Sequence, residues 1–190
     1  MSKAVLISIR PKWCELIAKG KKTVEIRKTF PKLETPFRCY IYCTEKRPLL
    51  TRGKFPIEID TVCVRTREAA NTWGLDVLNG KVIGEFTCDF IEYLNNLFVG
   101  EPDYHMPEYG NACLELKDLE NYGKGKRLYG WHISDLVIYD KPKELSEFDK
   151  PMCTRESDCG AGCSYFDPDL VICKRETTFK RPPQSWCYVK

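Results

Sequence analysis

The stretch AVLISIRPKWCELIAKGKKTVEIRK, Ala4 to Lys28, carries three successive patterns whose order decides the fold. AVLISI (4–9) is almost wholly apolar and rich in β-branched residues, the composition of a central strand buried on both faces. RPKWCELIAKG then places Pro11 near a helix start, Trp13, Leu16 and Ile17 at i, i+3, i+4 spacing, and Gly20 where a C-cap belongs, so a short amphipathic helix is expected. Residues 23–28 alternate, with Val24 and Ile26 facing one way and Thr23, Glu25 and Arg27 the other. The second strand thus lines up an acid and a base on one face, directly after Lys22.

Working outward, strands are expected at RCYIYC (38–43), DTVCV (60–64), GKVIGEFTCDFI (80–91), GWHISDLVIYD (130–140) and SWCYVK (185–190), and helices near 66–73 and 114–121. Short strands with a few interposed helices predict an α+β chain built on a small mixed sheet or partly open barrel, not a doubly wound sheet. The 190 residues suit one domain, 1–190. A shift to Asp, Gly, Ser and Pro at 149–180 reads as an insertion before the last strand.

Composition narrows the function classes. No stretch approaches the ~20 apolar residues of a membrane span, and the N-terminal apolar run is too short for a signal peptide. The expectation is a cytoplasmic protein with no membrane partner. Thirty basic against twenty-seven acidic residues leave a formal charge of +3. That balance permits a nucleic-acid partner without arguing for one. There is no glycine-rich phosphate loop, no nucleophile-elbow serine and no histidine pair at metal-binding spacing. Of the two histidines, His105 lies in a polar loop, and His132, in GWHISD, reads first as a structural residue.

Eleven cysteines fall into two groups. Cys14, Cys39, Cys43, Cys63, Cys88, Cys113 and Cys187 sit among apolar neighbours, where reduced cysteine behaves as a small buried hydrophobe. Cys153, Cys159, Cys163 and Cys173 form C-x5-C-x3-C-x9-C inside the polar insertion. Four thiolates satisfy tetrahedral zinc, and a segment with little core gains most from a structural metal. The x5 spacing is looser than usual, so free thiols and, less favourably in a reducing compartment, disulfides stay open.

Gly20, Lys22, Glu25 and Arg27 spell G-x-K-x-x-E-x-R, which resembles the signature of the ASCH domains of the PUA-like superfamily. The strand, helix, motif and strand order is also how those domains begin. YGWHISDLVIYDKPKELSEF (129–148) and RPPQSWCYV (181–189) resemble a phage- or prophage-associated ASCH-like group. The resemblance implies a PUA-like β-barrel whose concave face, beside the motif, receives single-stranded RNA, a nucleotide or a modified nucleoside. It requires no cofactor at that site. In an amidohydrolase branch of the family the position matching Glu25 is a nucleophilic threonine, so glutamate here departs from that mechanism. Thr23 offers a hydroxyl nearby but at a different motif position.

The residue chemistry agrees with a polar ligand. Lys22 can offer a point charge to phosphate or a developing oxyanion, Arg27 planar bidentate contacts, and Glu25 an acceptor for a base amino group or a general base. Lys22 has the strand parity of Val24, so it joins Glu25 only if the turn swings it round. The ordinary alternative is an Glu25–Arg27 surface ion pair beside an unrelated lysine, worth under about 1 kcal/mol. Lys12 with Trp13, and Tyr129, Trp131 and His132 after the basic GKGKR loop, are the further candidates for lining the groove, because a base can stack on a ring while a cation holds phosphate. Three functions stay open: a binding module, a small hydrolase (ribonuclease or nucleoside amidohydrolase) using Lys22 and Glu25, and a protein-interaction adaptor. Oligomeric state is not readable.

Overall fold

The computed structural model describes residues 4–53, 59–94, 110–151, 166–167, 172–173 and 177–190. In chain order the elements are β1 (Ala4–Ile9), α1 (Pro11–Ala18), β2 (Val24–Arg27), β3 (Phe37–Cys43), β4 (Leu49–Gly53), β5 (Ile59–Val64), α2 (Arg67–Thr72), β6 (Asp76–Val77), β7 (Val82–Cys88), β8 (Ile91–Leu94), α3 (Leu116–Gly123), β9 (Leu128–His132), β10 (Ser134–Lys143), β11 (Phe166–Asp167), β12 (Ile172–Cys173) and β13 (Trp186–Val189). They assemble into a five-stranded sheet ordered β10-β7-β3-β1-β13, two three-stranded sheets ordered β2-β9-β8 and β5-β4-β6, and the small β11-β12 pair. The result is an α+β, barrel-like arrangement whose sheets do not close into one continuous ladder.

β1 is an interior strand, parallel to β3 and antiparallel to β13. All six of its residues are buried, and period-2 alternation divides its five apolar residues between two cores. Val5, Ile7 and Ile9 join Cys14, Ile17, Ile41, Phe86 and Trp131, whereas Ala4 and Leu6 join Tyr42, Val82, Phe148 and Val189. A third core, of Val24, Ile26, Leu94, Ala112, Leu119 and Leu128, fills the space between the β2-β9-β8 sheet and α3.

Two of the expected long strands are broken, for a shared reason. The 80–91 stretch divides into β7, in the five-stranded sheet, and β8, in a three-stranded one. The 130–140 stretch divides in the same way into β9 and β10. The chain turns from one sheet to the other at both places, and the two corners are bonded together by the His132 N–H, which donates to the Phe90 carbonyl at 3.0 Å, while the Ile133 N–H donates to the Thr23 carbonyl, just before β2, at 2.8 Å. Only one or two residues separate the strands at each corner, so periodicity alone does not reveal it. The β4 and β6 strands were not expected from the sequence; β4 lies between β5 and β6 and carries the fully buried Leu50.

Among the cysteines, Cys14, Cys39, Cys43 and Cys88 are fully buried, Cys63, Cys113 and Cys187 partly so, and all seven are free thiols. Burial pushes the thiols of Cys63 and Cys88 up to about 12 and that of Cys187 up to about 11, so they are protonated at neutral pH and act as packing groups. The cluster Cys153, Cys159, Cys163 and the Cys173 side chain lie outside the described residues, as does His105. The ends of the 149–180 segment are tied to each other by an Asp149–Thr178 bridge and by a 2.8 Å bond from the Lys150 N–H to the Thr177 carbonyl. Among the described residues no helix is long and apolar enough to cross a membrane.

Gly84 in β7 stands between Ile41 of β3 and Ile138 of β10. A Cβ there would lie 2.3 Å from the Val137 carbonyl oxygen and 3.1 Å from Ile138 Cα. Backbone atoms of a paired strand cannot rotate away, so Gly84→Ala is expected to destabilise the fold by more than about 2 kcal/mol. Urea unfolding monitored by tryptophan fluorescence checks this; a loss below about 0.5 kcal/mol would mean that β10 is not held against β7 as described.

Candidate functional site

The site begins with the way α1 ends. Lys19 is its C-cap, Gly20 follows with φ +67°, and the Gly20 N–H donates to the Ile17 carbonyl at 2.8 Å while the Lys21 N–H donates to the Leu16 carbonyl at 2.9 Å. This is a Schellman closure, and a left-handed residue at its turn is what favours glycine. The Lys22 N–H also reaches the Leu16 carbonyl, at 3.1 Å. The tightened turn sends the Lys22 side chain inward, where it is only 2% exposed.

There the ammonium finds three acceptors. It donates to the carbonyls of Val24 at 2.8 Å and Ala112 at 2.7 Å, and Glu25 Oε2 lies 3.4 Å away. The other carboxylate oxygen of Glu25 is 3.0 Å from Arg27 Nη2, which donates in turn to the Ser8 carbonyl at 2.7 Å. Lys22, Glu25 and Arg27 thus form a chain of three charges, with the carboxylate in the middle. Sequence reading allowed a surface ion pair on a polar strand face; instead Glu25 is 6% and Arg27 8% exposed. The turn overrides the strand parity that set Lys22 apart.

These charges lie on one wall of a cleft of about 410 Å³, which is also lined by Arg10, Trp13, Thr44, Lys46, Asp118, Tyr122, Gln184 and Ser185. Four cations, Arg10, Lys22, Arg27 and Lys46, face two carboxylates, Glu25 and Asp118, so the lining is net cationic. Arg10 and Lys46 are exposed at the rim. Lys22 Nζ stands 5.4 Å and Lys12 Nζ 4.7 Å from the Trp13 ring centroid, within cation–π range. Two buried polar atoms of the lining residues, Arg27 Nε and the Thr44 hydroxyl, have no hydrogen-bond partner among the described residues.

The expected site residues therefore divide. Lys22, Glu25, Arg27 and Trp13 come together at the cleft. Lys12 is exposed and reaches the site only through the Trp13 ring. Thr23 follows Lys22 but is not part of the lining. Trp131 is fully buried: it is the register partner of Glu25 and packs edge-on to Phe37 in the main core, so it is a core residue and not a groove platform. Tyr129 packs against Phe30 and Tyr93, beyond the lining. His132 is half-exposed and its Nδ1 lies 2.7 Å from Asp89 Oδ1, a bond that holds the Asp89 carboxyl below its usual range. Both residues are away from the cleft lining.

Sequence reading missed Arg10, Thr44, Lys46, Asp118, Tyr122, Gln184 and Ser185. Arg10 alone carried a local signal, as a cation directly after the central strand. The others come from segments up to 175 residues apart that the sheet brings together, as the 2.6 Å bond from the Ser8 hydroxyl to the Pro183 carbonyl illustrates.

No protein-family model matches the sequence, and no curated protein matches it. Solved structures of ASCH from Zymomonas mobilis do. One single-substitution variant aligns at TM-score 0.52 with 18% identity, over 100% of this chain and 91% of its own. A second aligns at TM-score 0.51 with 19% identity, over 98% and 88%. This chain has the ASCH fold. The likeness extends across the sheets and cores, and at this identity it concerns the fold alone. In the ASCH frame of this chain, the Gly20-Lys22-Glu25-Arg27 motif is the turn and strand that build one wall of the cleft.

Lys22→Met removes one member of the buried chain and strands the Val24 and Ala112 carbonyls. The expected cost is about 3–5 kcal/mol in urea unfolding. Adding Glu25→Gln to Lys22→Met should restore part of that loss, with a coupling of about 0.5–3 kcal/mol. Strict additivity of the two changes would show that the contact does not hold charge against charge.

Proposed function

We propose that the cleft binds a nucleotide unit of RNA, or a free nucleotide or modified nucleoside, by its polar base edge and its phosphate. The observation that carries this reading is the Glu25–Arg27 pair on the wall of a net-cationic cleft of about 410 Å³. Small-molecule sites of this kind span roughly 300–1,000 Å³, which suits a nucleoside. Glu25 keeps acceptor capacity beyond its contacts to Lys22 and Arg27, because an ionised carboxylate has about four lone-pair sites. A donor and an acceptor side by side match a base edge that offers N–H beside C=O or ring nitrogen. Trp13 and Tyr122 supply ring surface for stacking, and exposed Arg10 and Lys46 supply mobile charge for phosphate.

Lys22 contributes differently from a phosphate clamp. An ammonium has three donors, and Val24, Ala112 and Glu25 occupy all three directions. Its part is to orient the carboxylate and add positive potential, while Arg27 makes the direct contact. The ASCH fold is in keeping with an RNA-binding role for such a cleft.

A hydrolytic reading of the same site rests on the Glu25 carboxylate facing the cleft next to a lysine ammonium. Glu25 would take a proton from water or a ribose hydroxyl, with Lys22 and Arg27 stabilising the charge that develops. The threonine nucleophile of the amidohydrolase branch has no counterpart at this position.

Calorimetric titration with the four ribonucleoside monophosphates tests binding. Arg27→Lys keeps the charge but removes the planar donor set, and should weaken the best ligand about tenfold or more while leaving the circular dichroism unchanged. Equal affinity in this variant would overturn the role given to Arg27. Mass spectrometry of RNA and modified nucleosides incubated with the protein separates the two readings: a product that vanishes with Glu25→Gln, at retained binding, identifies a hydrolase.

A further inference from the structure

Outside the cleft, one face of the β2-β9-β8 sheet carries a second set of residues that the site does not use. The antiparallel register places Arg27, Tyr129 and Tyr93 side by side across three strands. Arg27 lines the cleft, so the row leads out of it. Phe30 covers the next position, its ring centroid 4.7 Å from that of Tyr129, and Tyr129 lies 5.5 Å from Tyr93. Tyr129 is partly buried against the main core, but the two rings that flank it are not core rings. Phe30 is 48% and Tyr93 38% exposed, values unusual for large side chains that pack on one another.

Cations border the same rings. Arg127 sits 5.4 Å over the Tyr93 ring, and Lys28 Nζ 4.8 Å over the ring of Tyr122, a cleft residue. The GKGKR loop adds exposed Lys124 and Lys126 where α3 ends, with Lys124 itself as a left-handed C-cap at φ 49°. A folded chain gains nothing from leaving Phe30 and Tyr93 exposed on either side of the partly buried Tyr129. A ligand with flat apolar faces and a repeating negative charge would cover the rings and neutralise the cations together, and a single-stranded nucleic acid has that chemistry. An acidic peptide would meet the charges but leave the rings exposed.

We infer that this surface is a platform for the nucleotides adjoining the one held in the cleft, so that the ligand is a strand of RNA and not a free nucleoside. This rests on the nucleotide-binding reading of the cleft and deepens it. The strand leaves the cleft between Arg27 and Tyr122, passes Lys28, stacks bases on Phe30, Tyr129 and Tyr93, and sets its phosphates against Arg127 and the loop lysines.

Fluorescence anisotropy of a labelled pool of random ten-nucleotide single-stranded RNAs, beside calorimetry with the ribonucleoside monophosphates, tests this. The pool should bind at least about tenfold more tightly than the best monophosphate. Tyr93→Ala and Phe30→Ala should each weaken the pool about tenfold with monophosphate affinity unchanged, since neither lines the cleft. Arg127→Ala should lower the salt slope of pool binding by about 1. Pool binding no tighter than that of a monophosphate, or indifferent to both aromatic variants, would overturn the platform. So would binding of polyglutamate as tight as that of the RNA pool. Failure of monophosphate binding alone, with the RNA affinity still dependent on Tyr93, would instead count against the cleft and leave the platform standing.

Discussion

The fold is organised around one costly arrangement, the burial of a lysine, a glutamate and an arginine within a contact chain. Taking each ion from water costs several kcal/mol after relaxation, and mutual attraction offsets this only with good geometry and complete hydrogen bonding. The surrounding structure supplies that completeness. The Schellman turn at Gly20 aims Lys22, the Ala112 carbonyl arrives from 90 residues away to accept from it, and the Ser8 carbonyl of the central strand accepts from Arg27. Apolar residues of similar volume at these positions would in general be no less stable. The three charges lie on a cleft wall, which is where the proposed binding reading puts their use.

The same constraint explains why β2 is short and fully buried. Val24 and Ile26 fill the core against α3, and Glu25 and Arg27 fill the opposite side beside Trp131. A four-residue strand buried on both faces has little freedom to shift register, because a one-residue slip would exchange its charges with its aliphatic side chains. That rigidity fixes the carboxylate and guanidinium relative to the cleft, which a surface ion pair on a mobile strand would not do.

Much of this was legible in the sequence because it is local. The strand, helix and turn of residues 4–28 are set by β-branched composition, Pro11 and Gly20, and the motif residues fall where that order puts them. What was not legible depends on distant segments. Strand alternation gave Glu25 and Arg27 a common face but could not say that the face is buried, since burial is decided by β9 and by the loop preceding α3. Trp131 and Tyr129 are two residues apart on one strand face, yet one is enclosed by Phe37 and Trp186 and the other is only partly buried beside Phe30 and Tyr93. Nothing in their own neighbourhoods distinguishes them. The sheet corners at 89–90 and 133 are equally silent, because only one or two residues separate the strands where the chain changes partners.

The division of labour between cations follows from how each is held. Lys22 is saturated by acceptors and cannot turn toward a ligand without abandoning two carbonyls in a buried site. Arg27 spends Nη2 on Glu25 and Ser8 and retains Nε. Arg10 and Lys46 at the rim, and the lysines of the GKGKR loop, are hydrated and long, able to follow a phosphate but not to discriminate one base from another. On the proposed nucleotide-binding reading, selectivity belongs to the buried pair and affinity to the exposed cations and rings. On that reading, the separation would let one wall of the cleft stay fixed while the surface around it adapts to the strand that carries the selected unit.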